Sequence, residues 1–283
     1  MTDTLDVGAR ITGPNTGGTR TEGAGGAGAA DAAGRVSHTL GMVEIRHVAD
    51  RSGARARYDV LYAGHDIGNL VRHFRRLLEV AGARPGARLL DVACGEAGLL
   101  HAAAAMGVSV HGVDLSPVAL RLGRTGLPGG ALAVADGESL PFADASFDIV
   151  TNIGSLEHYD DPLRGVVEMA RVLTPDGRAC ILVPNTFGLR WNVLHAWRHG
   201  DVHDDGQPLQ RYGTRLQWAR LLTDGGLAVD RVLGWEKLDD LPAGPAEWVD
   251  MLRHPSRWLI PLGSWLPVDM ASMLVFVCRR APP

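Results

Sequence analysis

Three carboxylates, each closing an apolar run, are the residues best placed to do chemistry in this chain. Asp91 follows Leu89-Leu90, Asp114 follows Val108–Val113, and Asp136 follows Ala131–Ala135. A carboxylate offers two acceptor oxygens to a ligand's donors. One strand-terminal aspartate reads as a helix N-cap, whereas three after three successive β patterns read as a ligand site. The first is followed by Ala93-Cys94-Gly95-Glu96-Ala97-Gly98 and an alanine-rich stretch to Met106. Small residues let main-chain N–H groups approach a ligand closely, and a helix start presents unpaired donors. A fourth apolar run, Ser146–Ile153, leads into Ser155-Leu156-Glu157-His158-Tyr159. With an ordinary pKa of about 6.5, His158 suits proton transfer near neutrality.

Two cofactor families use turns of this kind. Read as Ala93-x-Gly95-x-x-Gly98, the turn nearly matches the G-x-G-x-x-G of nicotinamide and flavin enzymes, with Asp114 about where their ribose acid falls. Read as Asp91-x-Ala93-x-Gly95, with Ala97 and Gly98 following, it resembles motif I of the class I S-adenosylmethionine-dependent methyltransferases. A dinucleotide fold needs neither the acid at the first strand's end nor the third acid, while that family has all of them in this order. The likeness runs from about Leu70 to Arg280 and includes the Leu-Thr-Pro-Asp-Gly turn at Leu173–Gly177.

The resemblance implies S-adenosylmethionine as cofactor. It implies that the turn from Ala93 through Cys94 and Gly95 to Gly98 packs against the methionine part, with Cys94 also a small buried packing residue. Asp91 would fix the amino group, Asp114 both ribose hydroxyls, and Asp136 the adenine amino group, while the Gly137 N–H donates to the ring. Leu115 and Ile153 would sandwich the adenine, with Asn152 beside them on the fourth strand. The family usually has glycine at Ala93 and Ala97. The extra methyl at Ala97 crowds the cofactor unless Gly98 lets the turn shift.

Methyl transfer from a sulfonium is an in-line displacement, in which positioning contributes roughly 7–11 kcal/mol and a base helps a hydroxyl acceptor. His158 has three readings: the base, a donor that orients substrate, or a brace of its loop. Glu157 reads as a structural partner. In ubiquinone-type O-methyltransferases a glutamate three positions before the Glu-His pair completes a metal set, and here that position is Gly154. Asn152-Ile153-Gly154-Ser155 is not the Pro-Pro-aromatic run of amino-methylating DNA enzymes, and no Pro-Cys nucleophile is present. The expected acceptor is a small molecule such as a secondary metabolite, sugar or quinone-like compound, with oxygen favoured. The alternatives are a NAD(P)-dependent oxidoreductase and a cofactor-binding member that does not methylate, such as a cyclase.

The elements that must hold these residues follow from the hydrophobic pattern. Asp66 caps an expected helix with Ile67, Leu70, Val71, Phe74, Leu77 and Leu78 on one face, ending at Gly82. Ser116-Pro117 and Asp161-Pro162 begin further helices. Thr174–Gly177 turns into a fifth strand over Arg178–Val183, and Leu227–Leu233 and Ala271–Arg279 form two last strands. Alternation of strands and helices predicts an α/β, doubly wound, seven-stranded and mostly parallel sheet with helices on both faces. The resemblance makes this the Rossmann-like methyltransferase fold with the last strand antiparallel. A nicotinamide-binding domain would not end on such a pair.

Residues 1–35, rich in Gly, Ala and Thr, are expected to be disordered, and residues 36–283 to form one methyltransferase domain. Two insertions interrupt the minimal pattern, about 184–214 and about 235–269. The first leaves a strand's carboxyl end and reads as an acceptor lid, with Trp191, His195 and Tyr212 as substrate contacts; a satellite core is the plainer alternative. His195, His199 and His203 lie along one polar helix face without an acid or cysteine to complete a metal set, so no metal is expected. The second carries Trp248, Trp258 and Trp265 and reads as a packed cover or subunit contact rather than a membrane anchor.

The chain has 283 residues, 46% of them hydrophobic, and a formal net charge of −4, which argues against a nucleic-acid partner. Cys94, Cys180 and Cys278 are scattered in apolar runs, as in a reducing compartment. No secretion signal or bilayer-long apolar run is evident, so a cytoplasmic protein without stable membrane insertion is expected.

Overall fold

The computed structural model describes residues 41–48, 51–64, 71–127, 131–204, 206–235, 249, 252–253 and 267–282. The 1–35 tail, the Asp66 cap, and Trp248, Trp258 and Trp265 of the second insertion lie outside the described residues.

The elements run β1 (Val43–Arg46), α1 (Arg51–Gly64), α2 (Val71–Ala81), β2 (Arg88–Val92), α3 (Gly98–Ala105), β3 (Ser109–Asp114), α4 (Pro117–Gly123), β4 (Ala131–Val134) and β5 (Phe147–Ile153). They continue with α5 (Pro162–Val172), β6 (Leu173–Pro184), α6 (Leu194–His199), β7 (Leu209–Tyr212), α7 (Arg215–Asp224), β8 (Leu227–Trp235) and β9 (Met273–Arg280). The main sheet has seven strands in the order β4-β3-β2-β5-β6-β9-β8. Five are mutually parallel, and β9 runs antiparallel to both its neighbours. This is the doubly wound sheet the sequence predicts.

Strand periodicity distributes the core on two faces. On β2, Leu90 and Val92 join a cluster with Val166 and Met169 of α5 and Trp218 and Leu221 of α7. Leu89 faces the opposite side, with Leu77 and Leu78 of α2, Leu99 and Leu100 of α3, and Leu120 of α4. All three cysteines are buried and unbridged. Local signals begin two of the helices as read. The Ser116 hydroxyl accepts from Ala119 N, and the Asp161 carboxylate from Arg164 N. Thr174–Gly177 swells out of the ladder, because Phe147 pairs with Leu173 and Ile149 with Arg178.

A second, two-stranded sheet pairs β1 with β7 antiparallel, Val43 opposite Tyr212 and Arg46 opposite Leu209. The 184–214 insertion has secondary structure of its own. It contains a π-helical turn (Leu189–Val193), α6, and a strand docked on the segment before α1.

Candidate active site

The turn after β2 reverses direction with Ala93 and Ala97 both in the left-handed region, at φ 61° and 59°. That conformation disfavours any residue with a Cβ, which accounts for glycine being the usual choice. The Ala97 methyl is wholly buried, and a Cβ built on Gly123 of α4 would come within 2.9 Å of it. The methyl thus packs towards α4, which removes the crowding expected at this position. Gly95 N donates to Asp114 Oδ2 at 2.8 Å, and Ser116 N to Asp114 Oδ1 at 2.8 Å, so the Asp114 carboxylate ties the two adjacent turns together. Burial raises its pKa, while the N–H donors of Ser116, Gly95 and Leu115 pull it back.

Asp91 takes a different position. It is 4% exposed, accepts from the Thr151 hydroxyl at 2.6 Å, and is absent from the cleft lining. Burial pushes its pKa up to about 7, opposed by the Thr151 bond and reinforced by the Asp114 charge. Asn152 is also internal, with Nδ2 donating to Val92 O and Tyr159 Oη, both at 3.1 Å. Ile153 packs against the core, and Cys94 lies buried under the turn.

A cleft opens at the carboxyl ends of β2 to β5, where ligands of such sheets bind. It is lined by Ala93, Asp114, Leu115, Asp136 and Gly137, as expected, and also by Ser155, His158 and Tyr159. Asp136 lies just past β4 and accepts from Glu138 N at 2.9 Å. A Cβ on Gly137 would stand 2.1 Å from Tyr159 Oη, so glycine there also makes room for that ring. A second compartment shares Gly154, His158 and Gln207 with the first, and Trp191, His203, Gln210, Tyr212 and Trp235 line it. Trp191 and Tyr212 are thus brought to the site, while His195 is set back, its ring 4.5 Å from that of His199 and 5.4 Å from that of His203. Among the described residues no three His, Cys, Asp or Glu side chains are grouped to hold a metal.

His158 ends a 3₁₀ turn, Leu156–His158, directly after β5. Its Nδ1 bonds the carbonyl oxygen of Leu209 on β7. A carbonyl only accepts, so Nδ1 carries a proton, and Nε2, 3.9 Å from Glu157 Oε1, is the nitrogen that can exchange one. Arg211, 1% exposed, secures the same loop. It donates to the carbonyls of Tyr159 and Asp160 and, through Nε at 2.9 Å, to Glu44 of β1.

Sequence reading missed the roof of the cleft. Ala54, Tyr58 and Tyr62 line it from α1, and the Ser116 hydroxyl bonds Asp59 of the same helix. A Cβ on Gly95 would come 2.9 Å from Tyr62 Oη, so the tyrosine rests directly on the turn. Burial, followed by the Asp114 charge, raises the Tyr62 phenol pKa. The four-residue spacing of Ala54, Tyr58 and Tyr62 was the available signal.

The donor set fits a nucleoside carrying a sulfonium amino acid. The Asp114 oxygens accept the Gly95 and Ser116 N–H groups and keep acceptor capacity for the donors of a vicinal diol. Among the described residues Arg46 is the only Lys or Arg that lines this compartment, and it is held by Glu44 and Asp160.

Residues 90–181 match the family model described as a methyltransferase domain. The demethylmenaquinone methyltransferase of Thermus thermophilus is 33% identical over 148 residues, 48% of this chain and 67% of that protein. The Renibacterium salmoninarum protein of the same name is 34% identical over 125 residues, 44% of this chain and 53% of that one. The chain spans about half the length of most curated relatives it matches. Among solved structures, the [4+2]-cyclase SpnF has a TM-score of 0.58 at 20% identity, over 81% of this chain and 96% of its own. The chain belongs to the class I S-adenosylmethionine-dependent methyltransferase family. The nicotinamide reading of the turn is not favoured, and β9 inserted antiparallel between β6 and β8 is the structural reason.

Proposed function

We propose that this chain transfers the methyl group of S-adenosylmethionine to a small-molecule acceptor at a hydroxyl oxygen. The observation that carries the reading is one cleft faced at once by Asp114, Asp136 and a histidine of fixed tautomer. When bound, the cofactor supplies an electrophilic methyl group on sulfur. Asp114 holds the ribose hydroxyls, and Asp136 holds the adenine amino group. Asp91 supports the turn from beneath, held by the Thr151 hydroxyl. Ala93, Gly95 and Leu115 shape the wall. Tyr58 and Tyr62 cover the cleft and limit water, which strengthens the charged contacts inside.

His158 acts at Nε2, accepting the acceptor's hydroxyl proton as the oxygen becomes nucleophilic. The Leu209 carbonyl steadies the imidazolium this produces, and the Glu157 carboxylate favours the same charge. The acceptor occupies the compartment bordered by Trp191 and Tyr212. The relatives' names make a quinone-like compound one member of the acceptor class. Transfer of label to an acceptor decides the chemistry.

The test incubates the protein with methyl-labelled cofactor and a panel of hydroxylated acceptors, comparing wild type with His158→Ala. Label should appear on oxygen, and the variant should turn over about 10²–10⁴-fold more slowly. Cofactor binding without label transfer to any acceptor would overturn the reaction. An unchanged rate in the variant would return His158 to a bracing role.

A further inference from the structure

Tyr159 carries a hydroxyl that packing alone does not require. It follows the Leu156–His158 turn, and it lines the nucleoside side of the cleft together with Asp114, Asp136 and Gly137. Two glycines clear its seat. A Cβ on Gly165 of α5 would clash with the ring edge, and one on Gly137 with the phenol oxygen. That seat and Asn152 fix the ring, so the Arg211 grip on the residue's carbonyl is not what holds it there. A phenylalanine would fill the same slot. The hydroxyl must be explained by what it bonds, since an unpaired polar group in such a place is costly.

Asn152, wholly buried, decides which way the hydroxyl can act. Its Nδ2 donates to Val92 O at 3.1 Å, and a carbonyl only accepts, so the orientation of the amide is fixed. The same Nδ2 donates to Tyr159 Oη at 3.1 Å. The phenol oxygen is the acceptor in that pair, and its own hydrogen is left for another partner. Burial, followed by the Asp114 and Asp136 charges, raises the phenol pKa, so the hydrogen stays in place. Among the described residues Asn152 Nδ2 is the one hydrogen-bond partner of Oη. Oη abuts Gly137, which follows Asp136 in the turn after β4. A base held by Asp136 and the Gly137 N–H would meet that hydrogen.

We infer that Tyr159 is a third adenine-reading group, its hydroxyl donating to one ring nitrogen while the Gly137 N–H donates to another and Asp136 accepts from the amino group. The inference rests on the nucleoside placement proposed above. It gives the base two donors and one acceptor, matched to a purine with free ring nitrogens and an amino group.

Calorimetry on the full chain tests it by comparing S-adenosylhomocysteine with four analogues. Three carry CH in place of adenine N1, N3 or N7, and the fourth lacks the amino group. Wild type should bind at least two of the three ring analogues about three- to tenfold more weakly than S-adenosylhomocysteine, one for each ring donor. Tyr159→Phe should weaken S-adenosylhomocysteine by about the same factor, yet bind one of those weakened analogues as tightly as wild type does. A merely structural role would weaken all five ligands alike in the variant, and that result would overturn the inference. So would an unchanged affinity for S-adenosylhomocysteine, or a loss that disappears only with the analogue lacking the amino group, which would place the hydroxyl on Asp136. Should the variant not fold, the wild-type series decides, and fewer than two weakened ring analogues would overturn the inference. Failure of wild type to bind S-adenosylhomocysteine would instead overturn the nucleoside site beneath it.

Discussion

Asp91 and Asp114 end adjacent strands, yet their surroundings set them apart. Asp114 reaches the cleft, and Asp114→Ala should weaken S-adenosylhomocysteine by about 1.5–3 kcal/mol, the range for charged hydrogen bonds, as read by calorimetry. Asp91 lies inside, where burial raises its pKa from 3.8 to about 7. A carboxyl group with a raised folded-state pKa holds a proton that the unfolded chain has released. Its contribution to stability is therefore fully present below about pH 3.8 and is lost as pH rises through about 7. The full loss is on the order of 4 kcal/mol. Asp91→Asn should be flatter than wild type between about pH 4 and 7 in denaturant unfolding, because the amide cannot ionise. An unaltered slope would assign the pH dependence elsewhere. At this scale the sequence was informative where a residue's job is local. Strand-tip acids and the position of His158 were legible. The burial of Asp91 and Asn152 was not, because facing depends on the packing of neighbouring elements.

At the scale of elements, the sheet and its helices could be read because apolar period, caps and Gly/Pro turns all agree. The β1–β7 pair could not. Each strand is four residues long, they are separated by the whole nucleotide-binding half of the chain, and nothing in either stretch names its partner. That pair nevertheless positions the loop after β5, through Leu209 O on His158 and through Arg211 on the carbonyls of Tyr159 and Asp160. Burial lowers the Arg211 pKa, against the raising effect of Glu44, so the guanidinium is a desolvated clasp rather than a surface charge. Arg211→Ala should destabilise the chain by about 3 kcal/mol, as removal of a buried charged donor does, measured by denaturant unfolding. In the folded variant, kcat should drop while S-adenosylhomocysteine affinity holds, since Asp114 and Asp136 stand on other elements. A drop in cofactor affinity with unchanged kcat would show that the clasp serves the nucleotide side instead.

At the scale of the whole molecule, two compartments meet at His158, one built by strand tips common to the fold and one built by the 184–214 insertion with Trp235. Their separate origins explain what sequence could disclose. Strand tips follow a repeated local pattern, whereas the second compartment draws on the loop after β5, β6, the insertion, β8 and β9, whose convergence only the assembled sheet reveals. The same architecture makes the choice between cofactors a matter of global stability. A ligand that binds only the folded chain stabilises it by about 2.7 kcal/mol at roughly 100 times its Kd. For a chain of this size that corresponds to a Tm increase of roughly 4–5 °C. S-adenosylhomocysteine should produce such a shift, NADH none, and Asp114→Ala should need a correspondingly higher concentration for the same rise. A shift with NADH and none with S-adenosylhomocysteine would mean that the cleft under Tyr62 holds a dinucleotide, and the roles given to Asp136 and His158 would have to be abandoned with it.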